Sequence, residues 1–551
     1  MASSLINIAS SGLKAANVAL STSSNNISNA YTDGYSRQSV SLAQNAGTQK
    51  PYGTIGNGVN IVSVDRAYDS LVTNQLRAAS SNYAGTKVYS EQVSQIDNLL
   101  SDSDNSLSTL MSSFFSSIQS LSTNASDASA RQTVISSAQS MVNQFSSTDK
   151  YLQDMDSSIN AALKTSVDQI NTYSKQIANL NEKIVQLGSG SSSANALLDQ
   201  RDQLINELNN YVGVTTTTQD SMVSVSLANG MTLVQGNASY DLVTVTSPDD
   251  PSRTEVAYDN AISGPIQLSS TSLESGSVSG LLTFRTETLD SARNQLGQLA
   301  LTLASSFNAQ HKEGVDLDGD VGTDFFSFTQ PSVISNTNNK GSAALTATYT
   351  DTTAVKASDY TLKYTNGAWG VTRTSDGASV DYTTGTDDSG NTTLSFDGVE
   401  VAVSGTASSG DKFTLNTVSE VITNMSMVIT DTAKIAAALN DSSTGESDNR
   451  NAAALLALQD SNQVNGNATF SEAYASLVSE IGVKTQSADT NSTTQSSIVD
   501  QLTEKQQSIS GVNLDEEYVD LQRYQQYYTA NAKILSTAGN IFDSLLAAIS
   551  G

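Results

Sequence analysis

Residues 512–551 read VNLDEEYVDLQRYQQYYTANAKILSTAGNIFDSLLAAISG, and their spacing decides how the rest of the chain is organised. Leu514, Leu521, Tyr528, Leu535, Phe542 and Ile549 stand seven residues apart at one heptad position. The companion position, three residues on, is mixed: Glu517, Tyr524, Asn531, Ala538 and Leu545. An apolar position repeated every seven residues holds a helix against a partner as both supercoil. No proline interrupts the run, and Gly539 is its only interior glycine. Asp515, Glu516 and Glu517 crowd its start, where the positive end of the helix dipole favours carboxylates. A helix of about 36 of these residues would span about 54 Å. Periodicity alone also fits a core helix of a bundle.

The other end of the chain favours the paired reading. Ile6, Leu13, Leu20 and Ile27 are likewise seven apart, with Ala9 and Ala16 at the companion position. Residues 1–32 carry one charged side chain, Lys14. The two ends, 1–40 and 512–551, are expected to pair as a stalk, with everything else looped out from it. Such narrow seams bury little until further helices arrive.

The chain of 551 residues is long enough for several cored domains. Its net charge is −28, from 55 acidic and 27 basic residues, and nearly all of the excess lies between the two ends. That balance argues against nucleic acid, which needs a basic footprint, and favours a surface that resists clumping. There is no cysteine, hence no disulfide or thiolate chemistry, and one histidine, His311, is too few for most metal or acid–base clusters. No ordinary secretory signal opens the chain, and no apolar run reaches membrane-spanning length, so no membrane insertion is expected.

Taken in order, the pattern is α+β and multidomain. After the first helix come the turn formers Asn29, Thr32, Asp33 and Gly34, an extended stretch from Tyr35 to Val40, and a loop or hairpin through GTQKPYGTIGNGV. Helical spacing fills 68–100, 107–121, 131–145, 159–187 and 197–211. At Val212 the period drops to two: Val223, Val225 and Leu227, then Asn229-Gly230, then Met231 and Leu233 spell a hairpin. Helix resumes with Leu282, Leu289, Leu296 and Leu303. A second β block follows, with turns at Asn366-Gly367, Asp376-Gly377 and Asp397-Gly398, and helical spacing is expected again from Val418. The expected division is a helical bundle over 41–211, completed by 279–315 and 418–511. Two antiparallel β domains are inserted in it, at 212–278 and 316–417, the second with its core at 342–417.

The sequence carries few chemical motifs. There is no GxxxxGK[ST] loop, no GxSxG elbow, and HExxH needs two histidines. Asp316, Asp318, Asp320 and Asp324 in DLDGDVGTDFF alternate as in a calcium loop, but Val321 stands where the sharp turn needs glycine and Ser327 where it needs the bidentate Glu. The plainer reading is a solvated acidic turn, with His311 as a partner for the preceding helix's C-terminal dipole. No cofactor, catalytic residue or metal ligand is expected. A cell-wall glycosidase would need two carboxylates facing a cleft, and a secreted adhesin would need a binding face on an outer β domain; no residue pattern selects either.

The stretch SGLKAANVALSTSSNNISNAYTDGYSRQ resembles the N-terminal signature of the rod, hook and hook-associated axial proteins of the bacterial flagellum, through Asn25, Asn26, Ile27, Asn29, Gly34 and Tyr35. The continuation Ser36-Arg37-Gln38 is similar to that of the hook-associated members. So are NQLRAA at 74–79, LLDQRDQL at 197–204, SDNRN at 447–451 and SGVNLDEEYVDLQRYQQYYTANAKIL near the end. The resemblance implies a non-enzymatic structural role at the hook–filament junction. The implied partners are further copies in a ring or helical array, the hook protein and a second hook-associated junction protein. It also implies export without a cleaved signal, with a chaperone on the C-terminal helix.

Overall fold

The computed structural model describes residues 2–50, 53–101, 106–187, 192–269, 272–441 and 445–550. Its helices are α1 (Ala2–Ser28), α2 (Ser70–Leu100), α3 (Leu107–Thr123), α4 (Ala128–Leu187), α5 (Ser192–Tyr211), α6 (Ser277–Phe284), α7 (Asp290–Lys312), α8 (Arg450–Ala457), α9 (Phe470–Ser510) and α10 (Leu514–Ser550). A π-helical turn, Arg285–Leu289, joins α6 to α7.

The helical body is built around α4, whose 60 residues would span about 90 Å. The two helices expected at 131–145 and 159–187 are one. The link between them breaks the apolar period with acids, and arginines from the α6–α7 segment receive those acids. Asp156 lies 2.9 Å from Arg285 Nε and Asp149 3.6 Å from Arg293 Nε. Phe114, Phe307, Phe325 and Phe326 meet edge to face or tilted in the core beside it. Helix α9 starts on a capping box, Thr469 and Glu472, which satisfies two otherwise unpaired N–H groups. It packs against α2, and Tyr474 donates to the Leu100 carbonyl at 3.0 Å.

Between α5 and α6 the expected strands form. One sheet orders Val214–Gln219, Met222–Leu227, Thr232–Gln235 and Ala238–Ser239; another orders Ile266–Gln267, Thr254–Tyr258 and Leu242–Thr246. Gly230, at φ 84°, makes the hairpin turn where the sequence places it. The second β region runs from Ser332 to Asn416 as a five-stranded and a four-stranded antiparallel sheet. Tyr360 of one sheet meets Phe396 of the other at 5.1 Å. Asn366-Gly367 and Asp397-Gly398 carry positive φ at both residues, as tight hairpin turns require.

The helical spacing expected from Val418 is not helix. Residues 418–441 hold two single-turn 3-10 segments and the short strands Ser426–Met427 and Ala438–Leu439. Those strands pair with Phe326–Ser327 and Gly314–Val315. Val418, Val421, Ile422, Met425, Ile429 and Ile435 are buried at a helix-like spacing, but their backbone is held by strand partners and by Arg131, which donates to the carbonyls of Thr432 and Ile435. The boundary expected at 316 therefore falls within chain that pairs back onto the helical body.

Candidate assembly site at the terminal helices

The two ends pair, antiparallel: Ser23 lies beside Glu517, and Gly12 beside Asn531. What they bury against each other is small. Ala9, Ala15, Ala16, Ala19, Ser23 and Asn26 are buried on α1; Glu517 and Ala538 are buried on α10. A side chain at Gly12 would collide with Asn531, so the helices approach at alanine and glycine distance. The contact thus includes the companion positions Ala9, Ala16, Ser23, Glu517 and Ala538, with Gly12, Ala15, Ala19 and Asn26 lying off that register. The apolar position flanks it: Ile6, Leu13, Leu20, Ile27, Leu521 and Leu535 are half-buried, while Leu514, Tyr528 and Phe542 are exposed. Ile549 lies outside the residues whose side chains are described.

Most of the signature residues gather at the base of this pair. Asn26 is buried: its Oδ1 accepts from the Gln38 N–H (3.0 Å) and from the Tyr35 hydroxyl (2.7 Å). Its Nδ2 donates to the Gln38 carbonyl (2.9 Å) and to Glu517 Oε1 (3.1 Å). Glu517, 3 % exposed, also accepts from Ser23 Oγ at 2.6 Å and from Arg37 Nε at 2.8 Å. Arg37 reaches Glu516 at 3.1 Å, and its own N–H donates to the Ser510 carbonyl. Asn25 Nδ2 donates to the Tyr35 hydroxyl, Asn29 Nδ2 to the Asn25 carbonyl, and Gly34 turns the chain at φ 77°. The NNI-N-GY-SRQ pattern is thus a polar knot that joins the end of α1, the start of α10 and the first strand, Gln38–Gln44. Sequence reading missed Glu517 as its centre; the signal was a carboxylate at a heptad companion position.

The interior blocks of the resemblance meet next to the knot. Asp199 of LLDQRDQL accepts from the Ser36 N–H at 3.1 Å and from Arg66 at 3.0 Å. Asp202 pairs with Arg66 (2.6 Å) and with Arg77 of NQLRAA (2.9 Å). Burial, with Asp199 nearby, pushes the Tyr35 phenol up to about 12, so it remains a hydrogen-bond donor. In SDNRN, Asn451 is buried and donates to the Ala436 carbonyl at 2.6 Å, which fixes the start of α8.

The acidic turn carries its own cation. Lys434 Nζ lies 3.0, 3.0 and 2.8 Å from carboxylate oxygens of Asp316, Asp318 and Asp320, where a metal ion would sit. His311 is not a dipole partner. It is buried, accepts the Ala436 N–H on Nε2 (2.9 Å) and sets Nδ1 against the Thr323 carbonyl (2.7 Å). Burial lowers its pKa, so the neutral ring acts as a tie between two backbone segments.

The terminal stretches match families described as flagella basal body rod protein (residues 6–35) and flagellar basal body rod FlgEFG protein C-terminal (505–548). Paired terminal helices with these matches define an axial component of the bacterial flagellum. Between them, residues 93–326 match the flagellar hook-associated protein FlgK helical domain, and 334–417 the D2-like domain of flagellar hook-associated protein 1. The chain is 51 % identical over 549 residues to flagellar hook-associated protein 1 of Escherichia coli strain K12, covering 99 % of each. It is 50 % identical to that of Salmonella typhimurium, again over 99 % of each. The solved structure of the flagellar hook junction protein FlgK from Burkholderia pseudomallei superposes with a TM-score of 0.73 at 29 % identity, covering 79 % of this chain and all of that one. The chain belongs to the flagellar hook-associated protein 1 family, a family of structural flagellar components.

Proposed function

We propose that the chain assembles at the hook–filament junction and joins a flexible hook to a rigid filament through its terminal helices. The observation that carries this reading is the unfinished surface of the α1–α10 pair. Leu514, Tyr527, Tyr528, Ile541, Phe542, Leu545 and Leu546 lie exposed along one thin pair of helices. Neighbouring copies, the hook protein and a second junction protein would supply the missing faces, and an export chaperone would cover α10 beforehand. The division proposed with it is axial pair, helical body and two β inserts. Its test is assembly: purified chain carrying Leu535→Asp is expected to remain monomeric and to leave hooks bare in electron micrographs, while Lys533→Asp, at an exposed position, assembles normally. Equal defects from the two would contradict the role given to the helical seam.

A further inference from the structure

A partly open cavity of about 230 Å³ lies between α2 and the strand that ends at Arg66, α5, the end of α4 and the first two strands of the first β insert. Its charged lining residues are three arginines, Arg66, Arg77 and Arg201, against one aspartate, Asp202. In a chain of net charge −28 this local sign is reversed. Arg66 and Arg77 both spend their charge on Asp202, and Arg66 also pairs with Asp199. Arg201 has no carboxylate partner among the described residues. It is 4 % exposed, and its NH1 donates to neutral oxygens only, Asn181 Oδ1 at 3.0 Å and the Ser221 carbonyl at 2.9 Å. Its Nε–H is shielded from solvent and meets no acceptor. Buried charges are ordinarily paired, because an unpaired one forfeits hydration without compensation.

We propose that this cavity is a binding site for a small tetrahedral oxyanion of the phosphate class, held by Arg201 with Arg66 and Arg77 and walled by Thr216 and Ser221. Phosphate oxygens match the guanidinium fork, and the volume admits a small anion together with several waters. Burial holds the Arg201 guanidinium below the usual arginine range; the nearby Asp202 charge opposes this and those of Arg66 and Arg77 add to it, so the net effect is one that an incoming anion would relieve. The site is coupled to the knot. Arg66 links it through Asp199 to the Ser36 N–H, so an occupied cavity would stiffen the base of the terminal helices against the body.

The test uses the full-length chain, with inorganic phosphate titrated against chloride at constant ionic strength and Tm as the readout. A saturable rise of about 2–4 °C is expected with phosphate, because a ligand that binds only the folded state stabilises it. Arg201→Met is expected to lose that rise. Thr216→Glu, which places a carboxylate within the cavity, is expected to lose it as well and covers the case in which the arginine variant does not fold. Equal Tm values for the unaltered chain in phosphate and chloride would overturn the proposal, as would a full phosphate response in either variant. A rise with acetate as large as that with phosphate would overturn the assignment to a tetrahedral anion.

Discussion

The second β region and the terminal helix pair are built by opposite means. The β region closes on itself: Tyr360, Leu362, Val371, Val399, Val401, Phe413 and Leu415 are essentially inaccessible. Its strands alternate in and out, so one face of each sheet finds the other. The terminal pair buries mainly alanines and one glutamate, and leaves its large apolar side chains along the outside. At about 25 cal/mol per Å² of apolar surface, alanines contribute little compared with the phenylalanine and leucine of a sandwich core. One region is finished within the chain; the other is finished by what it meets.

The largest effect that would break this contrast concerns the exposed stripe. Phe542→Asp combined with Leu545→Asp is expected to abolish co-assembly in a hook-binding or polymerisation assay while leaving the Tm of the monomer within about a degree, since surface changes rarely exceed ~0.5 kcal/mol. A large loss of monomer stability would show that the pair is already a finished core.

Next in size is the knot. Glu517→Ala removes the acceptor of Ser23, Asn26 and Arg37 together and is expected to destabilise the terminal pair by about 2–3 kcal/mol. Limited proteolysis should then cut between 23 and 38 much faster, with the fragment spanning α2–α9 unchanged. Uniform loss across the chain would mean that the knot holds more than the terminal pair.

The polar parts explain why the sequence was only partly legible. Heptad spacing exposed both terminal helices and the α7 face, and Asn-Gly and Asp-Gly pairs marked the hairpins, because these depend on local period and φ. The single span of α4 and the coil at 418–441 were not legible, since Arg285, Arg293 and Arg131 decide them from distant positions. The same holds for the site. Ile6 to Ile549 could be picked out by period, but the buried role of Glu517 depends on three donors, two of them on another helix.

A smaller effect concerns the joint of the β region with the body. Asp359 is half-buried there against Asn294, and burial pushes its carboxyl up to about 6. The folded state then holds this proton more tightly than the unfolded one, so this group makes stability fall as pH rises from about 4 to 6. Asp359→Asn is expected to raise Tm at neutral pH and to flatten that slope in pH-dependent melts; an unchanged slope would place the titration elsewhere. Smallest of all is the acidic turn. With Lys434 seated among its carboxylates, calcium is expected to shift Tm by less than about a degree. A saturable calcium shift measured by calorimetry would contradict that.

The contrast between finished and unfinished regions is tested most directly by amide exchange on a verified monomer and on the assembled junction. The account predicts that residues 4–28 and 514–548 exchange orders of magnitude faster than 360–365 and 399–416 in the monomer, and reach comparable protection once assembled. Equal protection of the terminal helices and the β core in the monomer would contradict it.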